Sequence, residues 1–305
     1  MNKVSRNARA VVTGAASGIG QAFALELARR GGQVVVSDID MVGAQRTVTT
    51  IEDQGGTAVA VHCDVSRLES VQNLAAEACR WFEDVPTLVI NNAGVGAGGN
   101  LIGDVPIEDW HWTLDINLWG PIHGCHVFAP MLREAAKDGR NGGIINVASA
   151  ASFGAAPRMA AYNVSKAGVL SLSETLAAEL SGTGVAVTVL CPTFVKTNIV
   201  TSGRINAKAS DAASRLMQFG MSPAKVARIC LDTHDRGGLY VMPQLDAKVG
   251  WQLKRTLPET YTRVVGLLER FGPLGGDDSL PDASLLPHPV STSPTSERST
   301  SDKEN

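Results

Sequence analysis

Short apolar runs bounded by glycine or polar turns recur at residues 10–13, 33–37, 58–62, 87–91, 143–147, 186–191 and 238–241, and the segments between them carry apolar residues at helical spacing. Runs of Val, Ile and Ala without strict alternation read as strands buried on both faces. Their regular alternation with helices calls for a mostly parallel sheet. The expectation is one α/β domain over residues 1–247, a doubly wound, seven-stranded sheet with helices on both faces.

Two stretches depart from that rhythm. Residues 196–222 are polar and rich in small residues until Leu216, Met217, Phe219 and Met221, which either line a pocket or pack on the core. This segment reads as a substrate-covering insertion. Residues 248–271 place Trp251, Leu257, Tyr261, Val264, Val265, Leu268 and Phe271 at roughly helical spacing, with Lys254, Arg255, Arg263 and Arg270 interleaved. A helical extension docking on the body or on a partner subunit is expected, with a membrane-surface or lid role as the alternative. From 272 to 305 Gly, Asp, Pro, Ser and Thr dominate. Such a tail buries too little apolar surface to offset its ordering entropy and is expected to be flexible.

Composition narrows the function classes. A chain of 305 residues, 44% hydrophobic and 19% charged, supports one large core. A net charge of −3 and a pI near 6.1 supply no cationic field for nucleic acid. Five cysteines without a CxxC pair suit a reducing cytosol. The N-terminal residues are polar and basic, unlike a signal peptide or an anchor, and no stretch approaches the roughly 18 apolar residues of a transmembrane helix. His123 and His126 lack an evident third ligand, so no metal is expected.

The first chemical signal is the glycine-rich turn between the strand at 10–13 and the following helix. Gly14 suits a tight turn, while Gly18 and Gly20 allow close approach to a pyrophosphate and packing of the helix on the strand. The helix N-terminus presents unpaired N–H groups to the anion. Asp38 ends the second strand, where a carboxylate accepts both ribose hydroxyls; it would repel a 2′-phosphate, which favours NAD over NADP. A helix N-cap role for Asp38 is compatible with that reading.

The second signal is Tyr162 and Lys166, at positions i and i+4 of a predicted helix over 161–180, with Ser149 upstream. That spacing puts both side chains on one face. A tyrosine has an unperturbed pKa of about 10, so proton transfer near neutrality calls for a fixed cation beside it. Lys166 is placed to be that cation, and Ser149 to complete a proton-handling site.

Together these segments resemble the short-chain dehydrogenase/reductase family. Its TGxxxGxG turn is similar to Thr13 through Gly20, its NNAG segment to Asn91-Asn92-Ala93-Gly94 and its YxxxK pair to Tyr162 and Lys166. Its catalytic serine corresponds to Ser149, its catalytic asparagine to Asn117 and its adenine-bracketing acid to Asp64, followed by Val65. The resemblance implies a Rossmann-type fold in which Gly14, Ser17, Gly18, Ile19, Gly20, Asp38, Asp64, Val65, Asn91, Ala93, Gly94, Tyr162, Lys166, Pro192, Val195 and Thr197 hold NAD. It implies Asn117, Ser149, Tyr162 and Lys166 as catalytic residues, with Asn117 holding a water that links Lys166 to solvent.

One departure stands out. Thr193 follows Pro192 where the family usually has glycine, so the loop leading to Thr197 is expected to take a somewhat different path. The implied reaction interconverts a secondary alcohol and a ketone by hydride transfer. The apolar end of 196–222 hints at a bulky hydrophobic substrate such as a steroid, terpenoid, aromatic or long-chain carbinol. Two alternatives stay open: a dehydrogenase of polar or sugar alcohols, given Asn198, Asn206 and Gln218, and a non-catalytic dinucleotide-binding sensor or scaffold. Resemblance further implies a homodimer or homotetramer built through helices near 109–133 and 162–180.

Overall fold

In the computed structural model, residues 3–199 and 203–271 are described; the tail expected from 272 onward lies outside them. Seven strands form the main sheet: β1 (Arg9–Thr13), β2 (Gln33–Asp38), β3 (Thr57–His62), β4 (Leu88–Asn91), β6 (Gly142–Val147), β7 (Val185–Leu190) and β9 (Tyr240–Val241). Between them in the chain lie two short strands, β5 (Ala97–Gly98) and β8 (Arg204–Ile205). The sheet order is β3-β2-β1-β4-β6-β7-β9, and every pairing within it is parallel. The chain winds outward from β1 to β3, returns to β4 beside β1, and winds outward again. That reversal opens a crevice at the carboxyl ends of β1 and β4.

The burial pattern explains the two helical layers. Ala10, Val12, Val34, Val36, Leu88 and Ile90 belong to one buried cluster, and Val11, Val35 and Val89 to another, as side chains alternate across the strands. The first cluster is completed by α1 (Gly18–Arg29), α2 (Met41–Asp53) and α9 (Pro223–His234). The second is completed by α3 (Leu68–Phe82), α5 (Gly120–Lys137) and α7 (Ala160–Glu179). α5 is preceded by α4 (Ile107–Leu114) and a π-helical segment, Asp115–Trp119.

Four further helices complete the described chain. They are α6 (Ala151–Gly154), α8 (Ala207–Gln218), α10 (Leu245–Thr256) and α11 (Pro258–Phe271). The sequence periodicity over 248–271 suggested one helix, but two form. Leu257, preceding Pro258, is forced out of the helical region by the proline ring and takes φ −135°. α10 docks on the body: Ala247 is buried, and Trp251 meets Phe153 edge-on at 5.0 Å and Tyr240 at 5.5 Å. α11 buries none of its residues fully, and Glu269 ties it to Arg158 at 2.6 Å.

The buried face also holds a pH liability. The Thr188 hydroxyl donates to the Gly238 carbonyl at 2.7 Å, so His234 Nδ1, 2.8 Å from that oxygen, is the donor of its own bond. His234 Nε2 is left without a partner among the described residues. A Cβ at Gly143 would lie 2.1 Å from Nε2, so only glycine fits opposite the ring. Burial pushes the His234 imidazole down to about 4. Between pH 6.5 and 4 the unfolded chain therefore binds the proton that the folded chain refuses, and stability falls as pH falls, by an amount on the order of 3 kcal/mol. Urea titrations across that window are expected to show a flatter pH dependence in His234→Asn than in the parent; equal slopes would refute the assignment.

Candidate active site

The crevice widens into a cavity of about 450 Å³ that runs from Asp38 and Asp64 at one end to Ser149, Tyr162, Thr197 and Met217 at the other. The glycine turn forms its floor. Gly14 has φ +65°, and a Cβ there would lie 2.7 Å from the Ala93 Cα. A Cβ on Gly20 would lie 2.1 Å from the Gly14 carbonyl oxygen, so the helix can begin this close to the turn only without a side chain.

A residue absent from the predicted set fixes the turn. Asn92 donates to the Thr13 and Gly14 carbonyls at 2.9 and 3.1 Å, while the Thr13 hydroxyl accepts from the Asn92 and Ala93 amides at 3.0 and 3.2 Å. The NNAG segment carried this signal, but on its second asparagine. Asn91, expected to bind cofactor, is buried beneath the sheet end, where it donates to Asn146 at 2.8 Å. Its side chain is structural because consecutive residues at a strand end face opposite sides. Gly20 likewise packs the turn and is absent from the cavity wall.

Gly14, Ser17, Gly18, Ile19, Asp38, Asp64, Val65, Ala93, Gly94, Pro192, Val195 and Thr197 all line the cavity. Asp38 caps the turn, accepting from the Ala16 amide at 2.9 Å through Oδ2 and from the Asp40 amide at 3.0 Å through Oδ1. Asp64 accepts from the Ser66 amide and hydroxyl at 3.0 and 2.7 Å. His123 Nδ1 lies 2.9 Å from the Val65 carbonyl and so braces the same wall.

The fit to a dinucleotide rests on this geometry. A glycine cradle in which a Cβ would collide sits at the N-terminus of α1, whose first amides face the cavity floor. Two carboxylates, Asp38 and Asp64, stand at the far end of the cavity. The residues present fit a nicotinamide dinucleotide.

At the other end, Ser149, Tyr162 and Lys166 come together from β6 and α7. The Ser149 hydroxyl accepts from the Ala151 amide at 3.1 Å and lines the cavity beside the Tyr162 phenol. Lys166 is buried, its Nζ donating to the Val147 carbonyl at 3.1 Å and lying 5.7 Å from the centre of the Tyr162 ring.

Burial sets the electrostatics of this pair. Burial pushes the Tyr162 phenol up, with the Ser149 hydroxyl opposing, and burial lowers the Lys166 ammonium to about 8. Desolvation, which penalises each charged form, is the dominant cause of both shifts. The site thus favours a protonated tyrosine beside a lysine able to exchange its proton.

Asn117 lies close to this group of residues. It sits fully buried in the π-helical segment, where its Oδ1 accepts from the Val95 amide at 2.8 Å and its Nδ2 donates to the Val95 carbonyl at 2.9 Å. Its side chain fixes the loop after β4 and is not part of the cavity wall. A Cβ on Gly94 would lie 3.1 Å from Asn117 Oδ1 and 3.4 Å from Lys166 Nζ, so the glycine allows loop, asparagine and lysine to pack together.

Of the apolar residues expected to cover a substrate, Met217 lines the cavity, Met221 packs against the core, and Leu216 and Phe219 are 44% and 89% exposed. The covering segment is held by a two-stranded sheet of β5 and β8. Arg204 anchors it through Asp109 at 2.6 Å and the Trp112 ring at 4.4 Å. Among the described residues no His, Cys, Asp and Glu cluster could hold a metal ion.

Comparison with known proteins agrees with this architecture. The family model described as short chain dehydrogenase matches residues 8–208. A Mycobacterium tuberculosis protein named probable oxidoreductase EphD is 40% identical over 200 residues, covering 66% of this chain and 33% of that protein. The chain therefore matches about a third of its mycobacterial relative's length. The 1-deoxy-11-beta-hydroxypentalenate dehydrogenase of Streptomyces exfoliatus is 38% identical over 192 residues, covering 63% of this chain and 68% of that protein. A short chain dehydrogenase/reductase from Burkholderia phymatum, solved in complex with NAD, superposes with a TM-score of 0.74 at 34% identity, covering 82% of this chain and 94% of that one.

Proposed function

The chain belongs to the short-chain dehydrogenase family, and from that premise we propose that it is an NAD-dependent oxidoreductase interconverting a secondary alcohol and a ketone. The observation that carries this reading is the meeting of Tyr162, Ser149 and Lys166 at one end of a cavity whose other end is a glycine cradle. A bound nicotinamide supplies the hydride acceptor or donor. Ser149 Oγ, oriented by the Ala151 amide, hydrogen-bonds the substrate oxygen and stabilises charge developing there. The Tyr162 phenol gives its proton to that oxygen in reduction, and the phenolate removes it in oxidation. Lys166 replenishes the proton and would hold the ribose of the nicotinamide half when the dinucleotide is bound.

NAD is favoured over NADP by charge. Asp38 and Asp40 both line the adenosine end, where a 2′-phosphate would meet two carboxylates, and Arg46 is turned to Asp40 at 4.0 Å. The substrate is read as bulky and hydrophobic. Val95, Ile199 and Met217 line the cavity, and Lys166 is the only basic residue lining it among those described. The Streptomyces relative is named a dehydrogenase of 1-deoxy-11-beta-hydroxypentalenate, a hydroxyl-bearing compound as the reading requires.

The test is a spectrophotometric assay of NADH and NADPH formation with a panel of hydrophobic and sugar alcohols. We expect turnover with NAD and a hydrophobic carbinol. Dinucleotide binding without turnover on any alcohol or ketone would favour the sensor reading, and a preference for NADP would overturn the cofactor assignment.

Self-association through α4, α5 and α7 is part of the same reading. Trp119 and Val164 on these faces are 50% and 49% exposed, and light scattering giving a monomer mass would exclude it. All five cysteines are free thiols, which fits a reducing compartment such as the cytosol. Among the described residues, no helix is long and apolar enough to cross a membrane.

A further inference from the structure

The loop between β7 and the covering segment passes directly beneath the catalytic end of the cavity: Pro192, Thr193, Val195 and Thr197 all line it. At its start the Pro192 carbonyl accepts from the Ala150 amide at 2.9 Å. Thr193 does not adopt positive φ, so the turn is made without the left-handed residue that a glycine would allow.

A further restraint comes from the segment between β9 and α10. Gln244, the residue before α10, accepts from the Thr193 amide at 3.3 Å through Oε1 and donates to the Phe194 carbonyl at 3.1 Å through Nε2. One side-chain amide thus captures a donor and an acceptor on successive residues, as a neighbouring strand would. The Thr193 hydroxyl donates to Asp246 at 3.3 Å, adding a further tie to the same helix start. From the other side, Met221 donates to the Phe194 carbonyl at 3.0 Å and accepts from the Lys196 amide at 3.1 Å. The loop is held between the end of the covering segment and the start of α10.

We propose that Gln244 is a positioning residue for the reaction: it sets the height of the 193–197 loop beneath the reacting groups, with Thr193 and Asp246 as its partners. Gln244 itself is not among the cavity-lining residues, so it acts through the loop. The proposal rests on the oxidoreductase reading for its catalytic consequence, but the restraint on the loop does not depend on it. A misplacement of about 1 Å at a reacting centre can cost on the order of 100-fold in rate. Loss of the clamp should therefore appear in catalysis long before it appears in stability.

The experiment uses the full chain and Gln244→Leu, which removes both hydrogen bonds, beside Gln244→Glu, which keeps an acceptor for the Thr193 amide and loses the donor to Phe194. Three quantities are read: hydrogen exchange of the Val195 to Thr197 amides, NADH affinity from fluorescence titration, and kcat and KM with the best alcohol of the panel. In Gln244→Leu, loop exchange should accelerate by at least about tenfold and kcat should fall by about tenfold or more. NADH affinity should stay within about threefold, because the adenosine end is untouched. Gln244→Glu should fall between the two. Unchanged loop exchange in a folded Gln244→Leu protein would overturn the clamp, even if the parent proved inactive on every alcohol. Faster exchange with unchanged kcat and KM would overturn its catalytic role. Inactivity of the parent alone would count against the oxidoreductase reading, leaving the exchange result to decide the clamp.

Discussion

Tyr162→Phe is expected to lower turnover by about 10²- to 10⁴-fold, the span typical of a removed general acid or base. NAD affinity should change by less than about threefold, since the phenol stands away from the glycine cradle in the cavity. The parent enzyme's pH profile should carry the same signature. Burial raises the Tyr162 pKa, so the phenol is protonated at neutral pH and ready to act as the acid in reduction. Oxidation needs the phenolate, and its rate should climb as pH rises above neutrality while reduction declines. Lys166, lowered to about 8, loses its charge within the same range and steepens the decline of reduction. Steady-state rates in both directions from pH 6 to 10 test this; residual Tyr162→Phe activity above about a tenth of the parent's would refute the assigned role.

Gly20→Ala is expected to be the most damaging single-methyl addition in the cofactor half. Its Cβ would lie 2.1 Å from the Gly14 carbonyl oxygen and 2.4 Å from Asn92 Nδ2, the group that pins the turn. Relief requires the turn to move away from α1, which separates the cradle from the amides at the helix start. We expect NAD affinity to fall more than about 100-fold, a loss of roughly 2.8 kcal/mol. Overpacking should destabilise the fold by about 1–3 kcal/mol, lowering the melting temperature by roughly 2–4 °C for each kcal/mol. Gly103→Ala is the control: a Cβ there meets nothing within 4 Å, and its φ is not positive. NAD binding by Gly20→Ala within about fivefold of the parent would mean the cradle does not hold the dinucleotide.

The seven main strands were legible because each is a short, mostly apolar run bounded by turn residues, and the central ones are buried on both faces. β5 and β8 were not, since two-residue strands carry no periodic signal and form only because Arg204 and Asn206 bring the covering segment to the loop after β4. The break between α10 and α11 was signalled by Pro258, but apolar spacing continuing across it concealed the stop.

The chemistry of this chain is written in local sequence: a glycine turn admits no side chain, an i,i+4 pair on one helix shares a face, and a carboxylate closing a strand reaches the crevice. Those are constraints of backbone geometry over a few residues, and they survive without knowledge of the fold. What folding alone assigns are the roles that depend on distant partners. Asn92 rather than Asn91 holds the turn, Asn117 is bound to Val95, Lys166 is captured by the Val147 carbonyl, and Gln244 reaches the loop at Thr193. Each pairs segments far apart in the chain, and desolvation, which sets the direction of the Tyr162 and Lys166 shifts, depends on how the whole chain packs around them.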